Sequence, residues 1–256
     1  MIQDFYNFAF EVIQLGRIEL MQRYKRTLLG LWWSLLTPII AIAVYFFAFS
    51  QLIIIEGVSG KKYLIYLVSG VIVLHYSVQT LISIAESFSN KVNLITRIRI
   101  NPFLLSAGVL ASSFFSFFVT LLPLIAMLYY EDMISTRLLF LFPLLISLTY
   151  FLYGMGLLLA ILFTLFDDAK AIIKIMISFL PFITPVFYSL EQLPRTFAQL
   201  VLINPLTIFL TLIRWTVGLP IALDSQFFAL ILLYLLLARL AFVLFRRSWG
   251  KLVTFL

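Results

Sequence analysis

The chain has 256 residues, of which 63% are hydrophobic, 17% aromatic and 11% charged, with a net charge of +7 and no cysteine. Soluble domains carry about 45–50% apolar and about 25% charged residues, so an ordinary soluble enzyme is excluded; apolar runs of about eighteen residues or more mark a polytopic membrane protein. The missing cysteines rule out disulfides, thiolate nucleophiles and Cys-ligated metals, and the one histidine, His75, is too few for the usual multi-histidine metal site.

Residues 1–27 read as a cytoplasmic amphipathic helix followed by a basic hinge. Gln3, Asp4, Asn7, Glu11 and Gln14 fall on one helical face, and Phe5, Phe8, Ala9, Val12, Ile13 and Leu15 on the other. The polar face is acidic and rich in amides, so attraction to lipid headgroups accounts for it poorly. It is either a surface anchor for the first span or a surface that meets a cytoplasmic partner. The following stretch, RIELMQRYKRTLLGLWWSLLTP, sets Arg17, Arg23, Lys25 and Arg26 directly before a long apolar run that opens with Trp32 and Trp33. That order suits a membrane, with cations held in the cytoplasm, indoles at headgroup level and then hydrocarbon. The apolar run starts near Leu28, too far in and too long for a cleaved signal peptide, so the N-terminus is expected to be retained.

Residues 28–256 read as one all-α domain of six transmembrane helices, near 30–55, 63–87, 103–129, 138–166, 171–188 and 222–245. A further apolar segment, 200–220, is interrupted by Asn204-Pro205 and carries Arg214. If it does not cross, both termini are cytoplasmic. The outer side then holds five basic residues (Lys61, Lys62, Arg137, Arg195, Arg214) against five acids, and the inner side thirteen against six. The whole net charge then lies on one face of the membrane, as the positive-inside rule asks. A crossing would put Arg246, Arg247 and Lys251 outside, so residues 189–221 are expected to form a re-entrant outer hairpin between spans 5 and 6. This placement also accounts for the basic charge without nucleic acid.

Two loops look specialised. The inner loop 89–102 mixes Leu94, Ile95, Ile98 and Ile100 with Lys91, Arg97 and Arg99, bounded by Asn90 and by Asn101-Pro102. It suits either a short helix docking into another protein or a loop dipping into lipid. On the outer side Pro181, Pro185, Pro194, Pro205 and Pro220 fall within forty residues and are expected to divide the chain into short helical pieces.

The chemistry of an enzyme is missing. GVSGKKY lacks the spacing of a phosphate-binding loop, and SWGKL lacks its first glycine and its Ser/Thr. No catalytic residue is assigned. His75, with Gln79 one turn away, is either a polar pore residue or an interhelical hydrogen-bonding group. Asp167 and Asp168 read as a solvated helix N-terminus. The spans lack the acidic or basic relay of an ion-driven carrier. Aromatic faces stack on sugar rings, so Tyr24, Trp32, Trp33, Phe187, Tyr188 and Trp215 are candidates for lining a polysaccharide path.

RIELMQRYKRTLLGLWWSLLTPII, NLITRIRINPFLLS and ITPVFYSLEQLPRTF…LINPLT resemble three regions of ABC-2 type permeases that export polysaccharide, the O-antigen, capsule and teichoic-acid exporters. The resemblance runs from about residue 17 to residue 245. It implies an inner-membrane homodimer joined by two copies of a cytoplasmic ABC ATPase, which holds the ATP and Mg, with lipid-linked polysaccharide as substrate. Residues 1–27, with Glu11, Arg17, Arg23, Lys25 and Arg26, would be the interface helix and hinge. Asn93, Leu94, Arg97, Arg99 and Asn101 would belong to the ATPase-coupling loop. Pro181, Pro185, Tyr188, Pro194, Asn204, Pro205, Arg214 and Trp215 would build the outer gate, and Tyr24, Trp32, Trp33, His75 and Phe187 the translocation path. Two alternatives stand beside this: an ABC-2 permease for a lipid or small lipophilic drug, and an ATP-independent flippase or transferase.

Overall fold

A computed structural model describes residues 2–25, 27–49, 60–92, 95, 101–221 and 225–252. Among the described residues the chain is helical, without strands. The helices are α1 (Ile2–Tyr24), α2 (Trp32–Phe49), α3 (Lys61–Glu86), α4 (Pro102–Tyr130), α5 (Leu141–Leu165), α6 (Asp167–Ser178), α7 (Leu180–Ile183), α8 (Arg195–Leu202), α9 (Pro205–Thr216) and α10 (Ser225–Leu252).

Four of these, α3, α4, α5 and α10, are long and apolar enough to cross a membrane; the number is five if α8 and α9, bent by 94°, form one span. Within the described residues α2 has 18 residues, and the rest of its expected run, 50–55, lies outside them. The segment expected to be a fifth span, 171–188, is not one continuous helix. Its 12-residue α6 ends at Ser178 and the four-residue α7 carries Pro181 at its start, after which Thr184 is extended. Twelve residues rise about 18 Å, well short of the roughly 30 Å of hydrocarbon. Pro181 and Pro185, which bring no N–H, account for the break.

The core forms around α3, which packs against α2, α4, α5 and α9. Its Ile65, Leu67, Ser69, Ser77 and Ile84 are fully buried. Side-chain hydroxyls join the apolar helices: Tyr76 and Thr149 share a 2.8 Å hydrogen bond between α3 and α5, and Ser106 and Tyr153 one of 2.8 Å between α4 and α5. Small residues set the closest approaches. A Cβ on Gly154 would lie 2.8 Å from the Ala238 backbone of α10, and one on Gly156 2.8 Å from Ile84. Between apolar helices in lipid such contacts let backbones approach and supply packing that no hydrophobic force provides.

The expected N-terminal helix forms and packs along α4. A Cβ on Gly108 would meet Leu15 at 2.6 Å, and one on Gly16 would meet Ala111 at 3.0 Å. Ala9, Val12, Leu15, Gly16, Leu20 and Arg23 face the bundle, whereas Phe8 and Ile13 of the expected apolar face are exposed.

Candidate functional site

The most demanding group in the molecule is Arg214, in the last turn of α9 and only 2% exposed. Among the described residues no carboxylate pairs with it. Its Nη1 donates to the carbonyl of Pro185 at 2.6 Å, and its Nη2 to the carbonyls of Val186 at 2.7 Å and Tyr66 at 3.0 Å. The guanidinium carbon lies 3.3 Å from the centroid of the Tyr66 ring. Among the described residues Nε has no partner. Carbonyl dipoles and an aromatic face thus replace water around a full charge, an arrangement that a planar five-donor group can make and an ammonium cannot.

Sequence explains why the space exists. Gly70, one turn along α3 from Tyr66, has no side chain, and a Cβ there would fall 2.8 Å from Arg214 Nη2 and 3.0 Å from the Val186 carbonyl. The Tyr66 hydroxyl donates to the Tyr188 carbonyl at 2.6 Å, and the Tyr188 hydroxyl to the Phe182 carbonyl at 3.0 Å. Asn204 accepts from the Leu206 N–H at 3.0 Å, capping α9, while its Nδ2 donates to Thr184 Oγ1 at 2.9 Å. Three pieces of chain are therefore locked together: α3, the extended segment around 184–188, and the bent pair α8–α9.

The opposite end of α3 is charged. Lys91 pairs with Glu19 at 2.5 Å, Lys174 with Glu86 at 2.5 Å, and Arg23 donates to Ser83 at 3.2 Å. These contacts tie α1, α6 and the start of the 89–102 loop to one helix. Between the two ends runs a groove of about 300 Å³ walled by Ala41 and Tyr45 of α2, Leu74 and His75 of α3, and Ile177 and Pro181 after them. The Tyr45 ring reaches Phe187 at 5.8 Å, linking the groove to the clamped segment.

Comparison with known proteins identifies this architecture. The family profile described as ABC-2 type transporter matches residues 11–217. The chain belongs to the ABC-2 type transporter family. Two O-antigen export system permease proteins RfbA from Klebsiella pneumoniae are each 22% identical to this ABC-2 chain over 190 residues, covering 73% of it and 72% of each relative. Family and helices together make it a transporter of the membrane.

In this ABC-2 chain the residues singled out from sequence fall in several places. Pro185, Tyr188, Asn204 and Arg214 come together in the clamp, and Pro181 and Phe187 flank it. Pro194 and Pro205 start α8 and α9. Trp215 turns away from the clamp, to Arg137 at 5.3 Å and Phe140 at 5.9 Å. Glu11, Arg17 and Lys25 are exposed on or just after α1, and Arg26 lies outside the described residues. Of the coupling-loop residues, Asn93, Leu94, Arg97 and Arg99 also lie outside them, and Asn101 caps α4 by accepting from the Phe103 N–H at 3.0 Å. Tyr24 ends α1, and Trp32 and Trp33 open α2. His75 is half-buried in the groove wall and forms no hydrogen bond among the described residues, so the interhelical bond considered for it is not made there.

Sequence reasoning missed Tyr66, Gly70 and Tyr45. The first two act through backbone carbonyls and through an empty volume, neither of which has a sequence signature.

Proposed function

We propose that this chain is the membrane path of an ATP-driven exporter of lipid-linked polysaccharide, O-antigen being the substrate class, across the cytoplasmic membrane. The observation that carries the reading is the similarity to O-antigen export permeases over 190 residues. In this reading two copies of the chain stand side by side with both termini in the cytoplasm, joined by two copies of a separate ABC ATPase. This chain offers no phosphate-binding loop, so ATP and Mg belong to that partner.

The Arg214 end then faces outward as gate and the Glu86 end faces the ATPase. Movement delivered to residues 89–102 enters through Lys91, whose ion pair with Glu19 connects that loop to α1, and reaches α3 through Arg23 and Ser83. Because α3 carries both the charged end and the Arg214 clamp, a tilt of α3 displaces the extended segment and the α8–α9 pair as one body. The groove beside Tyr45 and His75 lines the route and opens as that body moves. Lys174, which also lines that groove, is held by Glu86 at its inner end, and the rest of the wall is mainly aliphatic and aromatic.

Two measurements test the reading. Co-expression with the tagged ABC ATPase, followed by mild detergent extraction and mass photometry, is expected to yield a complex of two chains and two ATPases; a lone chain in several detergents would remove the coupled mechanism. Reversing charge with Arg97→Glu and Arg99→Glu is expected to abolish export while membrane insertion, read by fractionation, is unchanged.

A further inference from the structure

A second charged feature lies beside the 89–102 loop, in a groove that Asn101 and Pro102 at the loop's end help to line. Arg239 and Arg246 are seven residues apart on α10, two turns along one face, and both are exposed. Among the described residues neither makes an ion pair or a hydrogen bond. Both line a groove of about 450 Å³ between α10 and the first turn of α4, and among the described residues no acidic one lines it. Its walls are aromatic. The Phe103 and Phe242 rings stack at 6.1 Å, and Phe242 is held in turn by Tyr153 at 5.0 Å and Tyr150 at 5.5 Å, so the surface is preformed. Trp249 closes the end beyond Arg246.

Depth decides what such a groove takes. With Ser225 at one face of the membrane and about 1.5 Å per residue, Arg239 would lie about 21 Å and Arg246 about 32 Å along α10, on either side of the far edge of the roughly 30 Å hydrocarbon layer. A cation on a lipid-facing helix surface at that depth is costly unless an anion meets it. The anions at that level are lipid phosphates, and an apolar aromatic wall beside the two arginines suits an acyl chain that a free anion lacks. We propose that this groove binds an anionic membrane phospholipid, its phosphate held between Arg239 and Arg246 and its chain laid on Phe103, Phe242 and Val243. The leaflet rests on the orientation proposed above, but binding does not, and because lipid retention is read without transport the two readings fail separately.

The test is native mass spectrometry of the full chain, with its ATPase where that stays bound, titrated with phosphatidylglycerol or phosphatidylcholine of the same acyl chains. Phosphatidylglycerol is expected to be retained about tenfold or more over phosphatidylcholine, two arginines near a surface supplying that difference. The double variant Arg239→Gln, Arg246→Gln is expected to lose the preference, and Arg247→Gln, outside the groove, to keep it. Should the glutamine variant melt early, Arg239→Lys with Arg246→Lys decides, since it keeps the charge: a surviving preference supports the site and a lost one overturns it. Equal retention of the two lipids, an unchanged preference in a well-folded glutamine variant, displacement by millimolar inorganic phosphate, or stronger retention of a polyprenyl phosphate would each overturn it.

Discussion

Arg214 carries its charge inside the protein with three carbonyls and a tyrosine face around it and, among the described residues, no paired carboxylate. Arg214→Met takes one donor from each of the three carbonyls; the Tyr66 carbonyl keeps Ser69 Oγ at 2.9 Å and the Pro185 carbonyl keeps the Tyr66 hydroxyl at 3.5 Å, so Val186 loses most. Each unpaired buried acceptor costs about 1–3 kcal/mol, partly offset because the guanidinium no longer has to be desolvated. A net loss of about 1–3 kcal/mol is expected, read as a lower melting temperature in detergent and loss of export. Arg214→Lys retains the charge but reaches fewer acceptors, so it should fall between. Gly70→Ala tests the same clamp from the other side. Its Cβ would lie 2.8 Å from Nη2, and overpacking of this kind costs about 1–3 kcal/mol. A Gly70→Ala protein as stable as the parent would show that α3 and α9 have slack between them. Arg214 was conspicuous in sequence as a cation inside an apolar run, but its role was not, because main-chain carbonyls serve as its partners and main chain is the same for every residue.

Among elements, the two Asn-Pro pairs show what sequence conveyed and what it withheld. Asn101-Pro102 and Asn204-Pro205 read as breaks, and breaks they are; the structure adds that each asparagine caps the helix that its proline begins, α4 and α9. Asn204→Ala therefore loses a cap and the bond to Thr184 together, and a destabilisation of about 1–2 kcal/mol is expected, with α8–α9 more open to amide exchange. The helix was legible from periodicity over residues 3–15, but its continuation to Tyr24 through the expected hinge and its seat were not. Gly16 and Gly108 meet because neither has a side chain, and a glycine pair 92 residues apart announces nothing. Replacing Gly108 by leucine should lift α1 from α4 and weaken export without preventing insertion. The Glu19–Lys91 pair is half-buried, so a double-mutant cycle is informative there. Glu19→Lys and Lys91→Glu are each expected to impair export, and the two together to restore part of it. If the reversed pair is no better than the single variants, α1 and the 89–102 loop are not joined through this contact.

At the scale of the molecule, the long apolar runs showed a bundle of membrane helices, and the one-sided charge suggested an orientation. The stretch 171–188 was apolar enough to pass for a span, because hydropathy counts side chains and is blind to the N–H groups that Pro181 and Pro185 do not have. The break it conceals is where the chain leaves α6 and α7 and enters the clamp, so the part least legible as a span is the part that builds the site. Under the proposed function these elements together carry lipid-linked polysaccharide out of the cell. The most direct measurement is in cells from which the chain has been deleted, with surface polysaccharide and intracellular lipid-linked polymer quantified before and after the gene is restored. The account predicts that deletion empties the surface and accumulates lipid-linked polymer inside, and that the parent chain reverses both while Arg214→Met does not. Surface polysaccharide unchanged by the deletion, with no polymer accumulating inside, would contradict it.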